Sequence, residues 1–264
     1  LMKYNFSENT IVRLSIGSGW RTFNLFSEHT HLLASNKNII IDENLKPEKA
    51  INYGINLLQA FYFDNLEMQI TLDLYKTDFS NQIHPDYQHN PTEIHVHNYE
   101  DNSKSNSFQS EIGLEIIEEI GIKIAYNYLD IFHLYNDGTK HRLPLTSKHH
   151  FLNTLSYRPI NKNWYIDINT HYNGKKKLTD TSLNPLLHQR PTHSEPFWIV
   201  NGQFTLKIPQ YNLELYMGCE NIFDFTQDDP IISWQDPFGQ YFDVSNVWGP
   251  TKGREFYIGI RLKR

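Results

Sequence analysis

The chain has a single cysteine, Cys219, among its 264 residues. One cysteine excludes a disulfide framework and any zinc site built on paired thiolates, and Cys219, in an alternating stretch between Met217 and Asn221, reads as a small apolar residue. Long hydrophobic runs are absent too: nothing approaches the roughly 20 consecutive apolar residues of a membrane helix. The opening LMKYNFSENT lacks the charged region, apolar core and cleavage site of a secretory signal. Clustered cations are scarce. Lys175 to Lys177 is the one basic run, it follows Asn173-Gly174 and reads as a solvated loop, and with a net charge of -6 spread along the chain no nucleic-acid partner is expected. None of these absences excludes a membrane, because a spanning β-strand needs only about 9 to 11 alternating residues and barely registers on hydropathy.

What the chain does have is aromatic residues, sixteen Tyr and sixteen Phe, in a pattern of period two. In NLEMQITLDLYKTDF, Leu66, Met68, Ile70, Leu72 and Leu74 share one face and Glu67, Gln69, Thr71 and Asp73 the other, as on a strand. The same alternation recurs around Ile55, Ile124, Ile166 and Leu215, and in the closing GREFYIGIRLKR. No helical period of comparable length competes. Ten strands are predicted, at about 10 to 18, 48 to 61, 66 to 78, 94 to 117, 121 to 134, 148 to 158, 163 to 174, 197 to 208, 212 to 222 and 253 to 264. The sixth is the weakest, because Asn153 interrupts its apolar face.

Connections near 62 to 65, 118 to 120, 159 to 162 and 209 to 211 are tight. Those at 19 to 47, 79 to 93, 135 to 147, 175 to 196 and 223 to 252 are long and polar. Short and long alternate without exception, so an antiparallel up-and-down sheet would carry all turns at one end and all loops at the other. That is the organisation of an outer-membrane barrel, with periplasmic turns, extracellular loops and a periplasmic C-terminus. The polar faces, with Glu67, Asp73, Lys123, Asp167, Glu214 and Arg261, suit a wet lumen, and Trp164, Tyr126, Tyr128, Phe204 and Phe256 suit interfacial girdles. The alternative is a soluble β-sandwich or lipocalin-like binding protein, in which one face of each strand packs into a core.

Four stretches together resemble the TonB-dependent receptors. GSGWRTFNLFSE (17 to 28) resembles a strand end and loop of that family, and LKPEKAINYGINL (45 to 57) the segment after it. NIFDF (221 to 225) resembles the signature at the top of the penultimate strand, and GREFYIGIRLK (253 to 263) the closing strand. Asn221 and Asp224 can close a turn through their side chains. The resemblance covers essentially the whole chain, and it implies a Gram-negative outer-membrane receptor for energy-coupled uptake of a scarce nutrient such as a metal chelate, siderophore, haem or cobalamin. Members have a plugged barrel of 22 strands, whereas only the final ten are matched here, so residues 1 to 264 are expected to be the C-terminal part of the barrel, open by itself and without a plug domain. The partners then implied are outer-membrane lipid, the N-terminal strands and plug of the same receptor, the TonB complex through the plug region, and a small-molecule ligand. No resident cofactor is expected. Family chains usually finish on an aromatic residue; Arg264 departs from that, so either the terminus lies further on or the arginine snorkels to the headgroups.

Candidate ligand contacts lie in the loops. In HPDYQHNPTEIHVHNY, His95 and His97 project from one face of a strand, with His84 and His89 just before them. Imidazole suits transition metals and haem iron, so His95 and His97 are metal candidates, and a plain polar loop is the other reading. Trp20, Trp234 and Tyr241 could stack on a ligand or fold their loops. Asp228, Asp229, Asp236 and Asp243 are either calcium-type oxygen donors or a solvated acidic loop. Nothing points to an enzyme: Ser18 lacks a nucleophile elbow, and Cys219 has no neighbouring base.

Overall fold

In the computed structural model, residues 1–28, 30–87, 90–99, 103–116, 119–134, 140–160 and 162–262 are described. They form fifteen strands: β1 Met2–Asn5, β2 Thr10–Arg21, β3 Asn38–Ile41, β4 Glu48–Phe63, β5 Leu66–Ser80, β6 Ile83–Asp86, β7 Glu93–Asn98, β8 Ser103–Ile116, β9 Ile120–Leu134, β10 Lys140–Arg142, β11 His149–Tyr157, β12 Trp164–Asn173, β13 Phe197–Ile208, β14 Leu213–Glu220 and β15 Glu255–Leu262. Eleven of them pair in the order β1-β2-β4-β5-β8-β9-β11-β12-β13-β14-β15, each antiparallel to the next, with β10 added beside β9. This is an up-and-down wall that ends on β1 and β15. Among the described residues no helix is long and apolar enough to cross a membrane.

The pairing register lines up one apolar row after another. Met68, Leu114, Ile122, Leu155 and Ile168 lie side by side across five strands, and the next row runs Leu66, Ile116, Ile120, Tyr157, Ile166, Phe204, Met217 and Ile258. A one-residue slip at any pair would move that strand's apolar set to the other face, so the register is strongly specified. Among the described residues no second sheet covers this face: Ile258 is 79% exposed and Ile16, on the same face of β2, 74%. The sandwich and lipocalin-like alternatives are therefore overturned, since either would bury this face. The most deeply buried apolar residues, among them Leu32, Ile83, Ile94, Val96 and Ile232, lie in the loops instead.

Rings gather at two levels of the outward face. Trp164 packs on Tyr157 and Phe204 at the turn end, while Trp198 packs on Phe151 and Tyr172 towards the loops. Along β12 the two levels are eight residues apart, about 26 Å of strand. With a tilt of about 40° that is roughly 20 Å across a bilayer, close to the apolar band of an outer-membrane barrel. Asn153 sits within this band and sends its amide to the Lys123 carbonyl at 3.5 Å, so a polar side chain is accommodated in β11.

The other face is a ladder of polar pairs. Arg13 donates to Asn56, and Asn56 to Asp73. Lys123 meets Glu111 at 2.7 Å, Ser156 donates to Asp167, and Arg261 meets the buried carboxylate of its cross-strand partner Glu214 at 3.1 Å. On β14 and β15 the tyrosines interlock with glycines. Tyr257 lies over Gly218 and Tyr216 over Gly259, and a Cβ on either glycine would overlap the facing ring. Gly259→Val should therefore expel the Tyr216 ring and lower stability by about 1–3 kcal/mol, read as an earlier urea midpoint, whereas Gly113→Ala, where a Cβ meets open space, should shift it far less.

Where the strands differ from expectation, the loops are the reason. The span 94 to 117 is two strands, not one: β8 belongs to the wall, and β7 to a separate sheet ordered β3-β7-β6. Ile94 and Val96 alternate because one face of β7 is buried, but it is buried in a loop core rather than in the wall. β1, β3, β6 and β10 have four residues or fewer, too short for a period to show. Lys263 and Arg264 lie outside the described residues.

Candidate loop-end site

All five long loops leave the wall at one end and fold together. The first two share the small sheet, in which β3 runs parallel to β7 and β6 antiparallel to it. Leu32, Tyr87 and Ile94 form its core, with Ile39 against them. Glu48, at the foot of β4, ties both loops to the wall: its carboxylate takes Arg21 Nε and the backbone N–H of Ile83, each at 3.1 Å.

The last loop reaches back to the first. Lys37 Nζ meets Asp243 Oδ2 at 2.7 Å, with both side chains almost fully buried. Asp243 also accepts from Ser35 Oγ, Ser245 Oγ and the Ser245 N–H, and Asn36 donates to the carbonyls of Pro237 and Gly239. Burial, with the Asp243 charge nearby, pushes the Tyr87 hydroxyl well above the usual phenol range. The fourth and fifth loops are joined in turn. Lys176 Nζ donates to the Trp248 carbonyl at 2.7 Å, and its burial lowers the ammonium pKa. Arg190 pairs with Asp229 at 2.6 Å, Tyr241 stacks on His188, and the Thr179 N–H donates to Asn246 Oδ1. The third loop joins through the Leu145 N–H, which donates to the Lys177 carbonyl.

Between the second, third and fourth loops lies a cavity of about 420 Å³. Tyr87, Tyr99, His133, His141, Arg142, Lys177 and Arg190 line it, with Asp86 and Asp180 as its acids. Tyr99 stacks on His133 with ring centres 4.3 Å apart. Ser103 holds His133 through Nδ1, and the buried Nε2 has no hydrogen-bond partner among the described residues. A π-face, imidazoles and cationic donors around a polar cavity suit a small, partly anionic and aromatic molecule.

The sequence candidates fall around this cavity unevenly. His95 and His97 share one face of β7, opposite the buried Ile94 and Val96. His95 Nε2 lies 3.2 Å from Glu93, and His97 contacts Tyr99, whose other neighbour is His133. His84 pairs with His97 across β6 and β7, and His89 lies outside the described residues. Trp20 is exposed at the loop end of β2, on the outward-facing register with Ile16. Trp234 is exposed in the last loop, and Tyr241 is held by His188. Among the described residues no three His, Cys, Asp or Glu side chains are grouped to hold a metal ion. Asp243 and Asp229, considered above as oxygen donors, are engaged by Lys37 and Arg190. Sequence reasoning missed Tyr99, His133, His141, Arg142, Lys177 and Arg190, which come from the loop end of β9 and from three separate loops, with no shared spacing.

The motif NIFDF closes the top of β14 as its side chains suggest. Asn221, at φ 49°, accepts from the Phe225 N–H and donates to the Phe225 carbonyl, and Asp224, at φ 59°, accepts from the Arg254 N–H at 2.7 Å. Gly253 leaves room for that carboxylate, which a Cβ would strike.

No curated protein matches the chain. Among solved structures it resembles the ferric-catecholate import receptor Fiu from K12 E. coli, with 16% identity and a TM-score of 0.64 over 98% of this chain and 33% of that one. The copper transporter OprC gives 13%, 0.68, 98% and 38%, and the pyoverdine-bound outer membrane receptor FpvA from Pseudomonas aeruginosa PAO1 gives 15%, 0.67, 99% and 35%. At these identities the likeness is one of fold, and the chain spans about a third of the length of each structure. Residues 2–222 match the family described as TonB dependent receptor-like, beta-barrel, a transport-receptor family of the outer membrane rather than an enzyme family. With that match over most of its length, and a wall of the same build, the chain belongs to the TonB-dependent receptor β-barrel family.

Proposed function

We propose that this chain supplies wall, lumen lining and ligand-binding loops to an outer-membrane receptor that takes up a scarce nutrient with energy from the TonB complex, the nutrient being a metal chelate of the siderophore, haem or cobalamin kind. The observation that carries this reading is the loop-end assembly: long loops from distant parts of the chain interlock, and three of them enclose a cavity lined by tyrosines, imidazoles and cations. The loops face outward from the cell and the turns face the periplasm, as does the end of β15. Outer-membrane lipid covers the apolar face. Strands and a plug from the rest of the receptor cover the edges at β1 and β15 and fill the lumen, since an unpaired edge in hydrocarbon costs several kcal/mol per group. Catalysis has no part in this function.

The ligand enters against Tyr99 and the neighbouring imidazoles, with His97 behind Tyr99. Titrating the membrane-embedded receptor with ferric catecholate and hydroxamate siderophores, haem and cobalamin, and following tryptophan fluorescence, should give saturable binding for one class with a Kd on the order of micromolar or tighter. Tyr99→Ala should weaken it about tenfold, as the loss of a stacking anchor does, and His97→Ala by less. A steady open conductance in planar bilayers, with no saturable ligand, would instead make the protein a porin.

A further inference from the structure

On the outward face, just beyond the loop-side aromatic level, cations outnumber acids. Lys140, Arg142 and Lys148 converge on the carboxylate of Asp130 at 3.3, 3.4 and 3.1 Å. One buried carboxylate thus gathers three cations and leaves two positive charges in excess. Lys104 lies in the same row, opposite Phe132, and Lys76 opposite Asn106, which itself faces Asp130. Among the described residues only Asp78 adds a second acid to the group, 3.8 Å from Lys76. The Lys140 ammonium also sits 3.6 Å over the Phe132 ring, a cation–π contact that fixes it at the surface.

Directly below, towards the middle of the wall, is an apolar groove lined by Leu14, Ile16, Tyr53, Ile55, Leu74 and Tyr128, with Lys76 at its rim. Among the described residues the turn end shows no such cluster of charge. Its outward positions are Phe63, Leu66, Ile116, Ile120, Tyr157 and Leu206. A basic patch above an apolar groove, at one end of the wall only among the described residues, matches a molecule with an anionic head and a hydrocarbon chain in one leaflet.

We propose that this surface binds a phosphorylated lipid of the outer leaflet, its phosphate held by Lys76, Lys104 and the Asp130 cluster and an acyl chain lying in the groove; this rests on the membrane orientation given above. Phosphate accepts several charge-assisted hydrogen bonds at once, and each Lys or Arg near an anionic headgroup adds to affinity. Asp130 has a positioning role, holding three flexible cations together so that less of their freedom is lost on binding.

The test loads the folded protein in neutral detergent micelles with phosphatidylglycerol or phosphatidylcholine, washes it, and counts retained lipid by native mass spectrometry. Phosphatidylglycerol should be retained about tenfold over phosphatidylcholine, and the preference should fall as salt rises. The variant Lys140→Gln/Arg142→Gln/Lys148→Gln should abolish the preference. Because it strips Asp130 of its partners, Lys76→Gln/Lys104→Gln serves as the second variant, keeping that cluster paired and lowering the preference several-fold. Equal retention of the two lipids by the wild type, or a preference unchanged in both variants, would overturn the lipid site. So would displacement by inorganic phosphate at the lipid's own concentration, which would assign the patch to a soluble anion. Nutrient binding, measured on the Lys76→Gln/Lys104→Gln variant, should be unaltered. A wild type that retains the lipid but binds no nutrient would refute the transport reading alone.

Discussion

Asp243→Ala should release the last long loop from the first and cost the loop assembly about 3–5 kcal/mol, the penalty of leaving a buried charge without its partner. Lys37 is the charge left behind, with its side chain 4% exposed, and the hydroxyls of Ser35 and Ser245 lose their acceptor at the same time. Lys37→Ala should cost less, because Asp243 keeps its hydrogen bonds from Ser35 and Ser245. Replacing both at once, as Lys37→Met/Asp243→Leu, removes both charges and should recover most of the loss. Amide hydrogen exchange reads the difference: protection at Asn36 and Val244, whose N–H groups bond to the Phe242 carbonyl and to Ser35 Oγ across this junction, should collapse in Asp243→Ala and largely return in the double variant, whereas the Ser245 N–H, which donates to Asp243 itself, should lose protection in both. Exchange in β4 and β5 should stay as it was, because the wall holds itself by its own ladder. If Asp243→Ala left the loop amides protected, the junction would be packed by the surrounding apolar contacts, Ile232 chief among them, and not by the ion pair.

The wall was legible in the sequence and the loop assembly was not, for one physical reason. A strand in a single-layer wall has two environments that alternate strictly, so Leu66 to Leu74 and Phe256 to Leu262 carry their structure in their spacing. The tight turns were legible because two to four polar residues between such runs leave little choice. Even the cross-strand pair of Glu214 and Arg261 follows once the register is aligned, since both lie on the polar face. Lys37 and Asp243, in contrast, are 206 positions apart, in segments without a period. Either one, read by itself, is an ordinary charged loop residue. The same holds for Tyr99, His141 and Arg190, which meet around a cavity only because three loops fold over one another.

The histidines show the half-way case. The spacing of His95 and His97 on one strand face was visible, and β7 does present them together. What the spacing did not contain was which sheet β7 joins. Ile94 and Val96 look like wall residues, and only the pairing of β7 with β3 and β6 shows that their face is buried by Leu32 and Ile39. Alternation reports that one face is hidden. It does not report what hides it.

That distinction sets the second large effect, at Leu155. Its side chain is 37% exposed in the centre of the outward face, in the row Met68, Leu114, Ile122, Leu155 and Ile168. If water met this face, Leu155→Arg would be nearly neutral, because a half-exposed arginine on a strand keeps its hydration. If hydrocarbon meets it, the same change places a guanidinium near the bilayer midplane and should destabilise the folded wall by about 2–4 kcal/mol. The neighbour Ser156 supplies the control, since it points to the lumen and donates to Asp167, near Arg158. Ser156→Lys loses that hydrogen bond but keeps a solvated charge beside Asp167, and should cost about 1 kcal/mol or less. Urea unfolding of the protein in phosphatidylcholine vesicles, followed by tryptophan fluorescence, should therefore separate two adjacent positions by a factor of several in stability change. Equal and small effects at both would mean that the outward face meets water or protein, and the row of leucines and isoleucines would then need another covering surface.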